Sequence, residues 1–276
     1  MAPLWWLRAA QSLCARRSVV LCYHGVGATT SSEDPHFLHI APNRFRSQLV
    51  LLQDAGFEFV TVAELARRAA GEAPPPGLAA VSFDDGMEDN YSVALPILRE
   101  LGVPATVYVT TGLIGKPNPW VARSETRMLN ADELRALAAA GIELGAHTVT
   151  HPDLSQLDHA TCLSEMVESR ATIERITGAK VETFAYPFCK YGEAALAAAR
   201  DAGFRAAVTC QGQGSWAPLE MKRALITGKD GLPSFLLKLA GGYEPIAQSR
   251  PGRAFRIVTR AARARARARM SRNRHA

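Results

Sequence analysis

The alternation of short apolar runs with helix-length amphipathic stretches constrains the fold of this chain more than any other feature of its sequence. Apolar runs bounded by turn residues occur at residues 18–23, 78–83, 105–109, 142–146, 183–185 and 206–209. Amphipathic stretches lie between them, the longest at about residues 158–177. This alternation is typical of a mostly parallel sheet covered by helices. Six or seven such units can be counted, so we expect a single barrel-like α/β domain.

The net charge is concentrated at one end of the chain. The 276 residues suffice for one domain with a sizeable core. Ten arginines and no acidic residue follow position 249, so the formal charge of +6 leaves −4 for the rest. Arginines at every second position from 263 to 269 leave no apolar helix face. We therefore divide the chain into an N-terminal segment (1–17), a folded domain (18–249) and an Arg-rich tail (250–276).

The tail suggests several partners. A solvated extension is favoured over contact with an anionic membrane surface or an acidic glycan. A nucleic-acid partner is not expected, because the body of the protein is mildly acidic. If nucleic acid did bind, its affinity would fall steeply with salt and would be lost on truncation at Arg250.

Cysteines and apolar segments bear on the compartment. The five cysteines are an odd number without a CxxC pair, which indicates neither a complete disulfide framework nor a structural zinc site, so a reducing compartment fits best. Arg8 interrupts the apolar run of Leu4 to Leu7 before it reaches the length of a signal-peptide core. No uncharged stretch reaches about eighteen apolar residues. These patterns predict a cytoplasmic protein, with peripheral membrane contact through the tail as an open alternative.

Three polar clusters follow strand candidates directly, where α/β folds place their catalytic loops. Asp84 and Asp85 end the first of these strands, and the second is followed by His147 and His151. The third strand is followed by Tyr186, Pro187 and Phe188.

These residue types suit metal-assisted hydrolysis. Adjacent carboxylates at a strand end point to opposite sides, so Asp84 and Asp85 are expected to do different work. One can bind a divalent metal ion while the other accepts a proton from water. Two histidines four residues apart, with one carboxylate, form a ligand set suited to Zn²⁺ or another transition metal. Either motif alone is weak, because Asp-Asp-Gly commonly forms a turn and histidine pairs often only pack.

Taken together and in this order, the motifs resemble the signature of the polysaccharide deacetylases with a NodB homology domain (carbohydrate esterase family 4). The motifs are Phe83-Asp-Asp-Gly86, His147-Thr-x-x-His151-Pro152 and Phe184-Ala-Tyr-Pro-Phe188. The segments Leu21–Val26 and Leu38–Phe45 also look like the entry to that domain in exopolysaccharide-linked members. The resemblance covers about residues 18–245.

The resemblance implies a fold, a reaction and residue roles. The fold would be a distorted (β/α) barrel with about seven parallel strands. Asp84 would be the general base, and Asp85, His147 and His151 would bind a divalent metal ion, most simply Zn²⁺, with Co²⁺ or Ni²⁺ as alternatives. The reaction would remove N-acetyl groups from an N-acetylated saccharide in exopolysaccharide or cell-surface glycan metabolism.

Two departures from the family pattern concern positions near the proposed site. Ala185 stands where many members carry an arginine that positions the catalytic aspartate, and Arg223 is a candidate substitute. The late histidine that acts as general acid in many members is absent between His159 and His275. His24 is our candidate proton donor, and His39 is a weaker one.

The remaining candidates have plainer alternatives. Tyr186, Pro187 and Phe188 are expected to line a sugar subsite, with core packing beneath the loop as an equal alternative for the two aromatic rings. Trp120 and Trp216 can stack on sugars or be partly buried structure, the latter being favoured. Cys189 has no nearby His or Asn in the sequence to support a nucleophilic role.

Two further functions share these motifs. A carbohydrate-binding pseudoenzyme would keep the metal site without competent acid chemistry, although it would have no need of a free Asp84. A metal amidase acting on a non-sugar amide would differ only in its pocket.

Overall fold

The computed structural model describes residues 4–121, 126–210 and 214–241, and its centre is a closed barrel of parallel strands. The seven barrel strands are β1 (Val19–Tyr23), β5 (Leu78–Phe83), β6 (Ala105–Val109), β7 (Glu143–Ala146), β8 (Thr183–Ala185), β9 (Ala206–Cys210) and β10 (Met221–Leu225). Three shorter strands are β2 (Gly25–Val26), β3 (His39–Ile40) and β4 (Glu58–Val60).

The ring closes because β1 pairs with β5 on one side and with β10 on the other. Each remaining strand pairs in parallel with the next along the chain, from β5 through β10. Strand β4 lies outside the ring and pairs with the first half of β5, whose second half pairs with β6. The predicted fold class, a distorted barrel of about seven parallel strands, is confirmed.

Helices connect the strands, as expected for parallel pairing. They are α1 (Leu4–Cys14), α2 (Pro42–Asp54), α3 (Val62–Ala69), α4 (Leu95–Leu101), α5 (Ala131–Ala139), α6 (His159–Thr177), α7 (Glu193–Asp201) and α8 (Leu232–Leu239). Side-chain hydrogen bonds cap the N-termini of α3 and α5. Thr61 accepts from the Glu64 amide, and Asn130 and Glu133 form a reciprocal capping box.

Buried apolar side chains fill the space between barrel and helices. All six residues of β5 are buried, as are all five of β1, β6 and β9. Such strands read as continuous apolar runs because both of their faces are covered. This explains why the sequence showed runs without strict alternation.

The N-terminal segment forms helix α1, which packs against α2 and α8. Ala10 is fully buried there, whereas Trp5 is 59% exposed. No helix in the described parts of the chain is long and apolar enough to cross a bilayer. The Arg-rich tail, 250–276, lies outside the described residues.

Cys189 and Cys210 form a disulfide bond, with their Cα atoms 5.3 Å apart. The cysteine count did not reveal this pair. The two residues are 21 positions apart in sequence, but they follow β8 and end β9, which are neighbours in the barrel. Disulfides are rare in reducing compartments, so this bond weighs against the predicted reducing environment.

Candidate metal centre and catalytic site

The carboxyl ends of β5, β7 and β8 bring the three polar clusters to one mouth of the barrel. Asp84 and Asp85 follow β5, His147 follows β7, and Tyr186 follows β8. This is the end of a parallel barrel at which active sites form, because the loops after the strands converge there.

Asp85, His147 and His151 form a compact group of potential metal ligands. Their ligand atoms all lie within 4.8 Å of one another. Oδ1 of Asp85 is 3.4 Å from Nε2 of His147 and 3.3 Å from Nε2 of His151. Ligands of a tetrahedral ion with bonds of about 2.0–2.1 Å stand roughly 3.3–3.4 Å apart. The spacing therefore fits a small transition-metal ion.

A backbone carbonyl fixes the orientation of the His147 ring. Its Nδ1 lies 2.7 Å from the carbonyl oxygen of Ala185. A proton on Nδ1 donates to that carbonyl, which turns Nε2 toward Asp85. Ala185 thus orients His147 through its main-chain carbonyl, although it stands where many family members carry an arginine.

Glu165 on α6 holds the loop that presents His151. Its carboxylate accepts hydrogen bonds from the amides of Val149 and Thr150 at 2.7 and 2.9 Å, and from the hydroxyl of Thr150 at 2.7 Å. Thr148 and His151 both have positive φ angles, of 67° and 59°. Such angles disfavour non-glycine residues, so the loop needs this external support.

Burial and charge oppose each other in setting the protonation of Asp85. Burial alone would raise the pKa of the Asp85 carboxyl, but hydrogen bonds from His147 and His151 and the nearby His24 hold it well below its usual range. These hydrogen bonds and charges therefore hold Asp85 ionised, the form in which a carboxylate binds a metal ion. Positive φ angles of 74° at Asp85 and 78° at Gly86 turn the chain sharply out of β5.

Asp84 is paired with Arg223 from β10. Nη1 of Arg223 donates to Oδ1 of Asp84 at 2.6 Å, and Nη2 donates to Oδ2 at 2.7 Å. Both side chains are buried, with exposures of 0% for Arg223 and 5% for Asp84. Arg223, which the sequence analysis named as a candidate substitute for the missing arginine, is thus the partner of Asp84, the proposed base.

Other contacts fix this ion pair in place. Arg223 also donates to the hydroxyl of Ser82 at 3.1 Å and to the carbonyl of Thr209 at 3.2 Å. The Cys22 thiol donates to Oδ2 of Asp84 at 3.4 Å. Burial would raise the pKa of Asp84, but the charge of Arg223, followed by that of His147, lowers it below the ordinary value. Asp84 is consequently held ionised and oriented, and it is not one of the three clustered residues Asp85, His147 and His151.

His24 lies at the end of β1 near both aspartates. Its charge contributes to the lowering of the pKa of Asp84 and of Asp85. Its Nδ1 is buried and has no hydrogen-bond partner among the described residues. Its carbonyl accepts a hydrogen bond from Nδ2 of Asn90 at 2.7 Å. The ring therefore keeps a free polar atom while its main chain is held.

His39 is in a different situation from His24. Its ring lies between two carboxylates, with Nε2 2.8 Å from Asp89 and Nδ1 3.3 Å from Asp34. A histidine engaged on both nitrogens is unsuited to deliver a proton to a leaving group. His24 is the better placed of the two candidates.

The rim of the site is aromatic. The rings of Trp120 and Phe188 pack edge-on against His151, with centroids 4.9 and 4.6 Å away. Phe188 is 58% exposed, so its ring is available to a ligand. This contact of Trp120 was not anticipated from the sequence.

Tyr186 and Pro187 do not present their side chains to the rim. Tyr186 is completely buried, and its hydroxyl donates to the carbonyl of Leu219 at 3.0 Å. Pro187 is also buried. The core alternative therefore fits Tyr186, whose ring packs against the rings of Phe184 and Tyr191.

Trp216 lies away from this mouth. It lines a cavity of about 420 Å³ with Lys222, Arg16 and Arg17, at the amino ends of β1 and β10. The Lys222 ammonium lies 5.3 Å from the Trp216 ring centroid. The lining of this cavity does not include Asp85, His147 or His151.

Comparison with known proteins agrees with this geometry. The sequence profile of the family "Polysaccharide deacetylase" matches residues 71–207, which include all three motifs. The chain is 25% identical over 186 residues to the poly-beta-1,6-N-acetyl-D-glucosamine N-deacetylase of Staphylococcus aureus (strain MRSA252), covering 64% of this chain and 62% of that protein. It is 26% identical over 193 residues to YxkH of Bacillus subtilis (strain 168), covering 70% of this chain and 64% of that protein. The chain thus spans less than two thirds of these relatives.

Two solved structures share the fold. The deacetylase PplD of Streptococcus pyogenes, solved in complex with acetate, superposes with a TM-score of 0.70 at 26% identity, covering 81% of this chain and 98% of that chain. IcaB from Ammonifex degensii superposes with a TM-score of 0.68 at 24% identity, covering 81% of this chain and 97% of that chain.

Proposed function

The chain belongs to the polysaccharide deacetylase family, and we propose that it hydrolyses the N-acetyl groups of an amino sugar in a poly- or oligosaccharide. The observation that carries this proposal is the buried, arginine-paired carboxylate of Asp84 beside the Asp85, His147 and His151 cluster. A protein that only binds a metal ion has no use for such a second carboxylate.

The metal is proposed as a divalent ion, with Zn²⁺ first and Co²⁺ or Ni²⁺ as alternatives. The ligand set of two imidazoles and one carboxylate suits these ions, and the ligand spacing of 3.3 to 3.4 Å fits them. When bound, such an ion lowers the pKa of a water molecule and polarises the acyl oxygen of the substrate.

Asp84 is proposed as the general base that takes a proton from the attacking water. Each of its oxygens accepts one bond from Arg223 and keeps acceptor capacity for that proton. Because Arg223 keeps the carboxylate ionised and fixed, little reorganisation is needed when the proton arrives. The low pKa makes Asp84 a weak base, so its action depends on the acidified water.

His24 is proposed as the proton donor to the departing amine. Its ring lies close enough to influence the pKa of both aspartates, and its Nδ1 has no hydrogen-bond partner in the described part of the chain. Protonation of the nitrogen and rupture of the carbonyl carbon to nitrogen bond release the free amino sugar and acetate.

The substrate class is proposed from the relatives' names and from the rim. One relative is named for poly-beta-1,6-N-acetyl-D-glucosamine. The exposed Phe188 ring and the neighbouring Trp120 offer an apolar wall against which a sugar ring can stack. We propose N-acetylated exopolysaccharide or cell-surface glycan as the substrate.

Acetate release from N-acetylglucosamine oligomers tests the proposal. Metal-free protein is assayed with and without added Zn²⁺ or Co²⁺, beside Asp84→Asn and the surface control Asp132→Asn, whose side chain is 91% exposed. We expect metal-dependent release by wild type and by the control, and a loss of about 100-fold or more for Asp84→Asn.

Other results would favour the alternatives. Tight metal binding without acetate release would indicate a carbohydrate-binding pseudoenzyme or an amidase for a non-sugar amide. Hydrolysis of small acetanilides but not of the oligomers would select the amidase.

A further inference from the structure

A buried histidine outside the metal cluster joins the segment that carries His24 to the segment that follows Asp85. His39 lies in β3, which pairs in parallel with β2, and β2 begins one residue after His24. The His39 side chain is only 3% exposed. The proposed chemistry uses neither its ring nor the carboxylates around it.

The His39 ring is held by two carboxylates from different parts of the chain. Oδ2 of Asp34 accepts the main-chain N–H of His39 at 2.8 Å and lies 3.3 Å from Nδ1. Oδ2 of Asp89 lies 2.8 Å from Nε2. Both ring nitrogens therefore have acceptors, which suits a doubly protonated imidazolium.

The electrostatics agree with a charged ring. Burial lowers the pKa of His39, but hydrogen bonds to Asp34 and Asp89, together with their charges, outweigh it and raise the pKa to about 9. Burial would raise the pKa of Asp34, but the bonds from His39 lower it to about 2. His39 therefore forms an ion cluster with Asp34 and Asp89 at neutral pH.

The cluster connects to His24 by two routes. Asn90, next to Asp89, places Nδ2 2.7 Å from the His24 carbonyl and 3.3 Å from Oδ1 of Asp89. On the other side, the Gly25 amide donates to the Leu38 carbonyl at 3.2 Å. A Cβ on Gly25 would overlap the His39 ring, so the ring packs directly on the backbone beside His24.

His24 needs such support because its ring makes no side-chain hydrogen bond to the described residues. With Nδ1 unpartnered among the described residues, no side-chain hydrogen bond seen there sets the direction of the imidazole. The orientation of the His24 ring must therefore be set by its main chain, and Asn90 and the pairing of β2 with β3 hold that main chain in place. Displacement of a catalytic group by about 1 Å can cost on the order of 100-fold in rate.

We propose that His39, clamped between Asp34 and Asp89, is a positioning residue that holds His24 in line with the metal cluster and Asp84. It acts through His24 and does not touch the substrate. The inference rests on the proposed function, in which His24 donates the proton.

A double-mutant cycle on the holoenzyme tests the coupling. The variants are His39→Gln, His24→Gln and the double variant, and the control is His159→Gln, which removes an exposed imidazole bonded to Asp201. We expect His39→Gln to lower kcat for acetate release by about 10- to 100-fold with little change in KM. In the His24→Gln background the same substitution should lower kcat by less than about 3-fold, because non-additivity reports coupling.

Equal losses in both backgrounds would overturn the proposal, since they indicate a general structural role. An unchanged kcat for His39→Gln would also overturn it. If His39→Gln does not fold, Asp89→Asn takes its place, because it keeps the size of the side chain while removing the negative charge that faces Nε2 of His39.

Histidine-selective ¹⁵N spectra separate this inference from the proposed function. The His24 signals, assigned by their loss in His24→Gln, are expected to shift in His39→Gln at constant pH, whereas the His159 signals stay in place. Unmoved His24 signals would refute the clamp even if the enzyme is active. Absence of acetate release by wild type with shifted His24 signals would refute the proposed function alone.

Discussion

Removal of Arg223 should leave a buried, uncompensated carboxylate in the barrel. Arg223→Met keeps most of the side-chain volume but deletes both bonds to Asp84, at 2.6 and 2.7 Å, and the bond to Ser82. Because the two side chains are 0% and 5% exposed, the carboxylate of Asp84 is left poorly hydrated when these bonds are lost. Breaking a buried pair from one side costs about 3–5 kcal/mol of unfolding free energy.

Urea unfolding followed by circular dichroism measures this cost. With a slope of about 2–3 kcal/mol per molar urea, the midpoint should fall by roughly 1–2.5 M. Arg205→Met is the matched control, because Arg205 makes an exposed ion pair with Glu182 and should cost about 1 kcal/mol or less. The variant Arg223→Met/Asp84→Asn should regain stability relative to Arg223→Met, since the buried charge is gone.

The pH dependence gives a second check with a definite sign. In wild type the lowered pKa of Asp84 contributes stability above the unfolded value of about 3.9, and this is lost as pH falls through the folded pKa. In Arg223→Met burial dominates and raises the pKa, so the penalty is present at pH 7 and is relieved as the carboxyl protonates. The stability gap should therefore be larger at pH 7 than at pH 4. A loss similar to that of Arg205→Met, or a gap independent of pH, would refute the reasoning.

Three further predictions concern the loops around the site. Glu165→Gln loses its charge-assisted bonds to the His151 loop and should weaken metal affinity by about 10- to 100-fold in a chelator competition, whereas an unchanged affinity would show that the loop supports itself. Gly112→Ala should lower the free energy of unfolding in urea by about 1–3 kcal/mol, because the new Cβ would overlap the Val149 carbonyl. The control Gly192→Ala, whose new Cβ would have its nearest neighbour 3.9 Å away, should lower it by less. Equal losses in the two variants would contradict this prediction. Alkylation of denatured protein should label Cys14, Cys22 and Cys162 before reduction and all five cysteines afterwards, and five labels at the start would exclude the Cys189 to Cys210 bond.

Much of the barrel could be predicted because parallel strands covered on both faces are continuous apolar runs. The runs at 78–83 and 105–109 coincide with β5 and β6. Strand β10 was not recognised, since Met221–Leu225 contains Lys222, which is exposed, and Arg223, which is buried inside. A charged residue inside a barrel gives no apolar signal.

The proposed metal ligands could be named from sequence because they lie in short motifs after strands. The partners of Asp84 and of His39 could not be derived in the same way. Asp84 and Arg223 are 139 residues apart, and only the closure of the ring brings β10 close to β5. The contacts of His39 with Asp34 and Asp89 likewise depend on the β2 to β3 pairing, which two-residue strands do not reveal.

We propose that one metal ion, held by Asp85, His147 and His151, acts together with the carboxylate of Asp84 in hydrolysis. Titration of metal-free protein with Co²⁺, with visible absorption and acetate release recorded at each addition, tests it most directly. We expect both signals to rise together and to saturate at about one equivalent, and Asp84→Asn to give the same absorption without acetate. Acetate release without metal, or absorption that saturates while wild type releases no acetate, would contradict it.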